Sequence, residues 1–231
     1  MKEHIRRFIT YLKAEVNASE HTIRNYSSDL RQFERFLQSG DSNYFSRLTL
    51  RRFLVHLQKS GCAPRTIARK IASLRSFLEF LVEEGHLASN PARGMPVPRQ
   101  EKKLPKFLDE REMVKLLEAS DKKTVLGIRD RAILETLYST GIRVGELVGM
   151  RQDSIDFIGG VVRVSGKGKK ERIVPIGEKA LKALSTYLKK REELLAKPRA
   201  GIAQDRNALF LNKWGGRLTV RSICRMVGKY S

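Results

Sequence analysis

The sequence predicts a mainly α-helical protein in two parts, with a small antiparallel β-sheet in the second part. Up to residue 89, apolar side chains recur at helical spacing, whereas residues 155–176 alternate β-branched residues around glycine turns. Between these regions, residues 90–106 contain several prolines, which remove backbone donors and disfavour helix. We therefore expect a helical domain over 1–89, a linker over 90–106 and a mixed α/β domain over 107–231.

Four helices with short connections are expected in the first part, as in a small bundle. Ser19 is suited to cap the second helix, and Pro64 to occupy the first turn of the fourth. Gly61 and Gly85 are expected to end the third and fourth helices. The four apolar faces are Ile5, Phe8, Ile9 and Leu12; Ile23, Tyr26, Leu30, Phe33 and Leu37; Leu50, Phe53, Leu54 and Leu57; and Ile67, Ile71, Leu74, Phe77, Leu78 and Leu81.

The second part begins with a predicted helix, because Asp109 and Glu112 form a capping-box pattern. A longer helix is expected to close at Gly141. The sheet follows, with a glycine turn at 166–168. The remaining predicted elements are a helix over 180–188, an extended piece over 208–211 and a helix over 218–227.

The charge of the chain indicates a polyanionic partner. Lys and Arg number 46 against 25 Asp and Glu, which gives a formal net charge of +21 and a pI near 10.3. Because neutralised phosphates release counterions, double-stranded DNA is the expected partner. An anionic membrane surface is the alternative, and the lack of any long apolar run in the sequence disfavours it. Two distant cysteines and an N-terminus without a signal-peptide pattern indicate a reduced, cytoplasmic protein.

Two cations are placed where each side chain is suited to a phosphodiester. Arg143 lies at a helix–turn–helix junction, and its planar guanidinium can give two charge-assisted hydrogen bonds to one phosphate. Glu146, three residues later, is in range to hold that guanidinium in place. Lys167 lies between two glycines, which allow close backbone approach to a DNA groove. Lys169, Lys170 and Arg172 extend this positive patch.

Taken together, residues 140–147 (TGIRVGEL) and 166–175 (GKGKKERIVP) resemble the tyrosine recombinases, and most closely their Xer branch, which resolves chromosome dimers. Residues 19–26 (SEHTIRNY), 64–77 (PRTIARKIASLRSF) and the Asn90-Pro91 pair are similar to the DNA-binding core module of that family. The resemblance covers almost the whole chain.

This resemblance implies a four-helix, SAM-like core-binding domain and a catalytic domain that together grip DNA. In the family, a tyrosine attacks a phosphodiester, forms a 3′-phosphotyrosine and frees a 5′-hydroxyl, without metal or cofactor. On this resemblance, Arg143 stabilises the charge of the pentavalent phosphorane and Lys167 is the general acid for the leaving 5′-oxygen. Glu146 matches the supporting acidic residue, and the full-length family protein forms a tetramer on two DNA sites.

The later family motifs, a His-x-x-Arg, a further His or Trp and the nucleophilic tyrosine, find no match in these 231 residues. All four histidines lie in the first part, and Tyr230 comes too early to be the nucleophile. Tyr138 and Tyr187 fall at positions of helix packing. We therefore expect a C-terminally shortened enzyme that binds DNA without cutting it, with no nucleophile or metal site in this chain and with tetramer assembly in doubt.

Further DNA contacts are expected from the helical domain and the linker. The linker cations, between Arg93 and Lys106, suit either a solvated spacer or a strap along the phosphate backbone. The helical-domain candidates are Arg24, Arg65, Arg69, Lys70 and Arg75.

Two alternatives to the Xer function stay open: a phage- or transposon-type integrase, and a DNA-binding clamp protein without catalysis.

Overall fold

The chain forms two compact units, Met1–Leu104 and Pro105–Ser231. A computed structural model describes residues 1–37, 44–98, 107–166, 170–196 and 199–230. Helices dominate both units, and a three-stranded antiparallel sheet lies in the second. The predicted fold class is confirmed.

The described residues of the first unit form four helices: α1 (Lys2–Ala14), α2 (Glu20–Leu37), α3 (Arg47–Lys59) and α4 (Pro64–Glu83). The predicted start signals operate as expected, since the Ser19 hydroxyl accepts the Thr22 backbone N–H at 3.2 Å and Pro64 lies in the first turn of α4. The predicted apolar faces meet in one core, which is rich in aromatic side chains from α1, α2, α3 and α4. Phe8, Phe33 and Phe77 are fully buried in it.

The beginning of the predicted linker is folded against α4. Asn90 is 7% exposed, and its side-chain amide donates to the Arg75 carbonyl at 3.0 Å and to Glu79 at 2.6 Å. Arg75 in turn donates to the backbone carbonyls of Ala92 and Met95. These side-chain hydrogen bonds hold residues 90–95 against α4, and the segment belongs to the first unit.

The second unit begins with α5 (Glu110–Glu118), α6 (Val125–Thr140) and the short α7 (Val144–Gly149). The Asp109–Glu112 capping box is present, and Gly141 ends α6 with a φ of 60°. A 3₁₀ turn at Gln152–Ser154 leads into the sheet. The remaining elements are β1 (Ile155–Asp156), β2 (Val161–Ser165), β3 (Glu171–Pro175), α8 (Glu178–Leu195) and α9 (Val220–Tyr230).

One hydrophobic core holds the second unit together. Strand β2 pairs with both β1 and β3, with Val164 opposite Arg172, and buries Val162 and Val164 against the helices. Helix α8 packs along α6. The predicted extended piece, Ala208–Leu211, is buried and makes two isolated β-bridges.

Over the residues that the structure describes, no helix is both long and apolar enough to cross a membrane. Within the same residues, no group of three or more His, Cys, Asp and Glu side chains is placed to hold a metal ion.

Candidate nucleic-acid interface

Arg143 presents its guanidinium to solvent from a fixed backbone. It follows the left-handed Gly141 and the buried Ile142 and occupies the N-cap of α7. Its side chain is 81% exposed. Because Ile142 anchors the junction in the core, the exposed cation projects from a rigid position.

Glu146 makes the predicted contact with Arg143 and holds it at two points. One carboxylate oxygen accepts the backbone N–H of Arg143 at 2.8 Å, and the other accepts Nη1 of its guanidinium at 3.2 Å. The Glu146 side chain is only 7% exposed. A nearly buried carboxylate therefore orients an exposed cation.

Arg172 binds the same carboxylate more completely. Its Nη1 and Nη2 each donate to a different oxygen of Glu146, both at 2.9 Å. Hydrogen bonds from Arg172, and next those from Arg143, lower the pKa of Glu146 from 4.5 to about 2. Arg172 was predicted to contact DNA, but the structure places its guanidinium on Glu146.

The turn between β2 and β3 begins beside this group of charges. The Gly166 backbone N–H donates to the Lys170 carbonyl at 2.8 Å, which closes the turn. A Cβ added at Gly166 would lie 3.3 Å from Nη1 of Arg172 and 3.5 Å from Oε1 of Glu146. Glycine thus lets the strand end pass close to the ion pair. Lys170 is exposed, whereas Lys167 and Lys169 lie outside the described residues.

Arg217 holds the other end of α7, a role that the sequence reasoning missed. Its Nη1 donates to the carbonyls of Val148 at 2.7 Å and Met150 at 3.4 Å, and its Nε donates to Asp205 at 2.8 Å. A six-residue helix is too short to be stable on its own. Side chains from elsewhere in the unit therefore fix both ends of the helix that carries Arg143.

The tyrosines of the second unit differ in their environments. Tyr187 is buried, as predicted, and accepts the Leu211 backbone N–H at 3.1 Å. Tyr230 donates its hydroxyl to Asp130 at 3.0 Å, and burial together with that carboxylate raises its pKa. Tyr138 was predicted to pack within a helix interface, but its side chain is 60% exposed, so that prediction is wrong.

The cations predicted on the first unit fall into two groups. Arg24 and Arg65 are exposed. Arg69 pairs with the buried Asp29, and Lys70, itself 7% exposed, places its Nζ 2.9 Å from the same carboxylate. Together with the Arg75 contacts to residues 92 and 95, these pairs give Arg69, Lys70 and Arg75 roles inside the fold. Lys70 in particular does not lie at the surface.

A second cationic surface lies on α9 and was also missed. Arg221, Arg225 and Lys229 recur every four residues and are all exposed, while Ile223 packs into the core. The Thr219 hydroxyl accepts the Ser222 backbone N–H at 3.2 Å and caps the helix. The i, i+4, i+8 spacing of the cations was visible in the sequence and could have identified this stripe.

The two units match two consecutive family models. Residues 5–85 match the phage integrase N-terminal SAM-like domain, and residues 106–231 match the phage integrase family. A tyrosine recombinase XerC from Myxococcus xanthus is 43% identical over 229 residues, which cover 98% of this chain and 75% of the relative.

Solved structures share the fold. A lambda integrase tetramer bound to a Holliday junction superimposes with a TM-score of 0.70 and 19% identity, over 99% of this chain and 62% of that one. The Tn1549 transposon integrase in complex with transposon right end DNA gives a TM-score of 0.72 and 20% identity, over 98% of this chain and 78% of that one. These neighbours show the fold, and the family and XerC matches show that this chain belongs to the phage integrase family of tyrosine recombinases.

Proposed function

We propose that this chain binds duplex DNA and presents Arg143 and Lys167 to a phosphodiester during site-specific recombination, in the service of chromosome dimer resolution. One observation carries the proposal: a nearly buried carboxylate fixes the exposed guanidinium of Arg143 at the end of a short helix. The backbone contact caps α7 and fixes the start of the helix, and the side-chain contact orients the guanidinium. A cation that must meet a phosphate in one orientation needs such contacts.

The chemistry assigned to this site is electrostatic and acid–base. Two N–H groups of Arg143 stabilise the negative charge that develops on the non-bridging oxygens of the phosphorane. Lys167 is proposed to give a proton to the leaving 5′-oxygen, as the matching lysine of the family does. Glu146 orients Arg143 and takes no part in proton transfer, because its low pKa keeps it ionised at neutral pH.

We further propose that these 231 residues bind DNA but do not cleave it. The second unit contains no histidine, and none of its tyrosines has the environment of a nucleophile. Tyr187 is buried, and the raised pKa of Tyr230 opposes formation of a phenolate. Tyr138 is exposed, but it lies on α6 without a neighbouring histidine in the second unit.

Exposed cations on both units supply the proposed DNA contacts: Arg24, Arg65, Lys170, Arg221, Arg225 and Lys229. Lys169 stays a predicted contact. Each cation that neutralises a phosphate adds a salt-dependent increment to affinity without reading sequence. For a full-length protein, the proposed assembly is the family-type tetramer on two DNA sites in the cytoplasm, and it is not proposed for these 231 residues. The lambda integrase neighbour is itself a tetramer bound to a Holliday junction.

A nicked suicide duplex tests the proposal, because release of the short strand traps any covalent protein–DNA adduct. We expect retarded, salt-sensitive complexes in a native gel and no adduct in a denaturing gel. Tyr138→Phe and Tyr230→Phe are controls that should change neither result. An adduct lost only in one of these variants would identify an unexpected nucleophile and contradict the proposal.

A further inference from the structure

We infer that Arg172 is a positioning residue, which keeps Arg143 available for phosphate by occupying the Glu146 carboxylate that would otherwise neutralise Arg143. The inference rests on the proposed function and deepens it. It replaces the prediction that Arg172 contacts DNA itself.

The first step is the unequal sharing of one carboxylate between two guanidiniums. Arg172 uses two nitrogens, and each is 2.9 Å from a different oxygen of Glu146. Arg143 uses one side-chain nitrogen, at 3.2 Å. A bidentate pair is the stronger arrangement, so the carboxylate charge is balanced mainly by Arg172.

The second step is the difference in exposure. The Arg143 side chain is 81% exposed and that of Arg172 is 43% exposed, against 7% for Glu146. The remaining Arg143 donors are therefore open to solvent, whereas Nη1 and Nη2 of Arg172 both donate to the carboxylate. One negative and two positive charges leave the site with a net charge of +1, carried by the more exposed arginine.

The third step is what happens without Arg172. Both Glu146 oxygens lose a donor. Among the described residues, Arg143 is the other cation hydrogen-bonded to this carboxylate, and it is anchored three residues away with its backbone N–H on Oε2. A small rotation then gives Arg143 the bidentate geometry that Arg172 held. The carboxylate captures Arg143, and the net charge of the pair falls to zero.

Position on the sheet supports this role. Arg172 lies on β3 opposite Val164, which is buried, so its side chain leaves the strand on the face toward α7. Gly166, directly after β2, leaves room for the ion pair. A Cβ added there would lie 3.3 Å from Nη1 of Arg172 and 3.5 Å from Oε1 of Glu146. Arg172 thereby also ties β3 to the start of α7.

The test measures how much Arg143→Ala lowers the salt slope of duplex binding, and this decrease is called its cost. It is measured in three backgrounds of the 231-residue chain: unchanged, Arg172→Gln, and Arg172→Gln with Glu146→Gln. The readout is the slope of log affinity against log salt for a fluorescent duplex. Each phosphate contact contributes about 0.9 to that slope. We expect Arg143→Ala to lower the slope by about one in the unchanged chain, by about zero with Arg172→Gln, and by about one again in the double background.

The second and third backgrounds separate capture of Arg143 from a change in net charge. If charge alone mattered, or if Arg172 contacted DNA independently, Arg143→Ala would cost the same in all three backgrounds, and the inference would be overturned. No cost in the unchanged chain would overturn it as well. Arg163→Gln is the matched control, because it removes an exposed arginine from β2 and should leave the cost of Arg143→Ala unchanged.

Two further measurements guard against misfolding and against failure of the proposed function. Thermal melts identify any variant that does not fold. For folded variants, nitrogen-detected NMR of the Arg143 Nη resonances reports how fast the Arg143 guanidinium rotates. This rotation should be slowed only with Arg172→Gln. Unchanged rotation in that variant would contradict the capture of Arg143 by Glu146. If the unchanged chain lacks salt-dependent duplex binding, the proposed function fails, whereas the NMR result still decides capture.

Discussion

Arg172 binds both oxygens of the Glu146 carboxylate at 2.9 Å, although the two residues are 26 positions apart in the sequence. This pair joins strand β3 to helix α7 beside the exposed Arg143. The same carboxylate caps the start of α7, since it accepts the Arg143 backbone N–H. Local structure and the charge of the site therefore depend on one side chain.

Glu146 should contribute stability above pH 4.5 that is lost as the pH falls toward about 2, because its folded-state pKa lies below its ordinary value. We expect Glu146→Gln to destabilise the second unit by about 2 kcal/mol at neutral pH, below the full linkage value because both arginines are partly exposed. Urea unfolding at pH 7 and pH 3 measures the difference, which should shrink at pH 3. An equal difference at both pH values would show that the carboxylate charge does not stabilise the fold.

Asp29 should be important for the stability of the first unit. Asp29→Ala leaves the buried Lys70 ammonium without its carboxylate, and we expect a loss of about 3–5 kcal/mol. Glu34→Ala on the same helix is the control and should change stability by less than about 0.5 kcal/mol. Chemical denaturation of both variants checks this, and similar small losses would argue against a structural role for the Asp29 cluster.

The α9 stripe should contribute to DNA binding without regard to sequence. We expect Arg225→Gln to weaken binding to unrelated duplexes by a similar factor and to lower the salt slope by about one. Lys190→Gln should have little effect, because the Lys190 ammonium lies 3.3 Å from Glu193 on α8. Fluorescence anisotropy on two unrelated duplexes measures both variants. A loss confined to one duplex would instead indicate base readout by Arg225.

His4 should make the first unit less stable in acid. Burial, and next the charges of His86, the N-terminus and Arg7, lower its pKa below 6.5, with Glu3 opposing them. The unfolded chain therefore binds more protons between the two pKa values, so stability falls as the pH drops below 6.5. We expect His4→Phe to improve stability more at pH 5 than at pH 8, as measured by urea unfolding. A gain independent of pH would point to packing alone.

The helices were predictable from the sequence because their signals are local. Apolar spacing, the Ser19 cap, Pro64 and the Asp109–Glu112 box each act within a few residues, and all are present in the structure. The sheet was predictable for the same reason. The position of Arg143 at the N-cap of α7 also follows from its neighbours, with Gly141 before it and Glu146 after it.

The sequence could not predict which cations remain exposed for DNA and which pair within the fold. Their partners within the fold are distant in the sequence. Arg69 and Lys70 meet Asp29 from 40 and 41 positions away, and Arg217 meets the Val148 carbonyl from 69 positions away. Arg75 looked like a surface cation, but its acceptors are backbone carbonyls of the segment predicted as a linker. Burial of Asp29 and Glu146 could be seen only once the helices were packed.

We propose that exposed cations on both units hold duplex DNA. The most direct measurement is duplex affinity of the 231-residue chain over a range of salt concentrations. We expect a linear fall of log affinity with log salt, with a slope that reflects several phosphate contacts at about 0.9 each. An affinity that does not change with salt would contradict it.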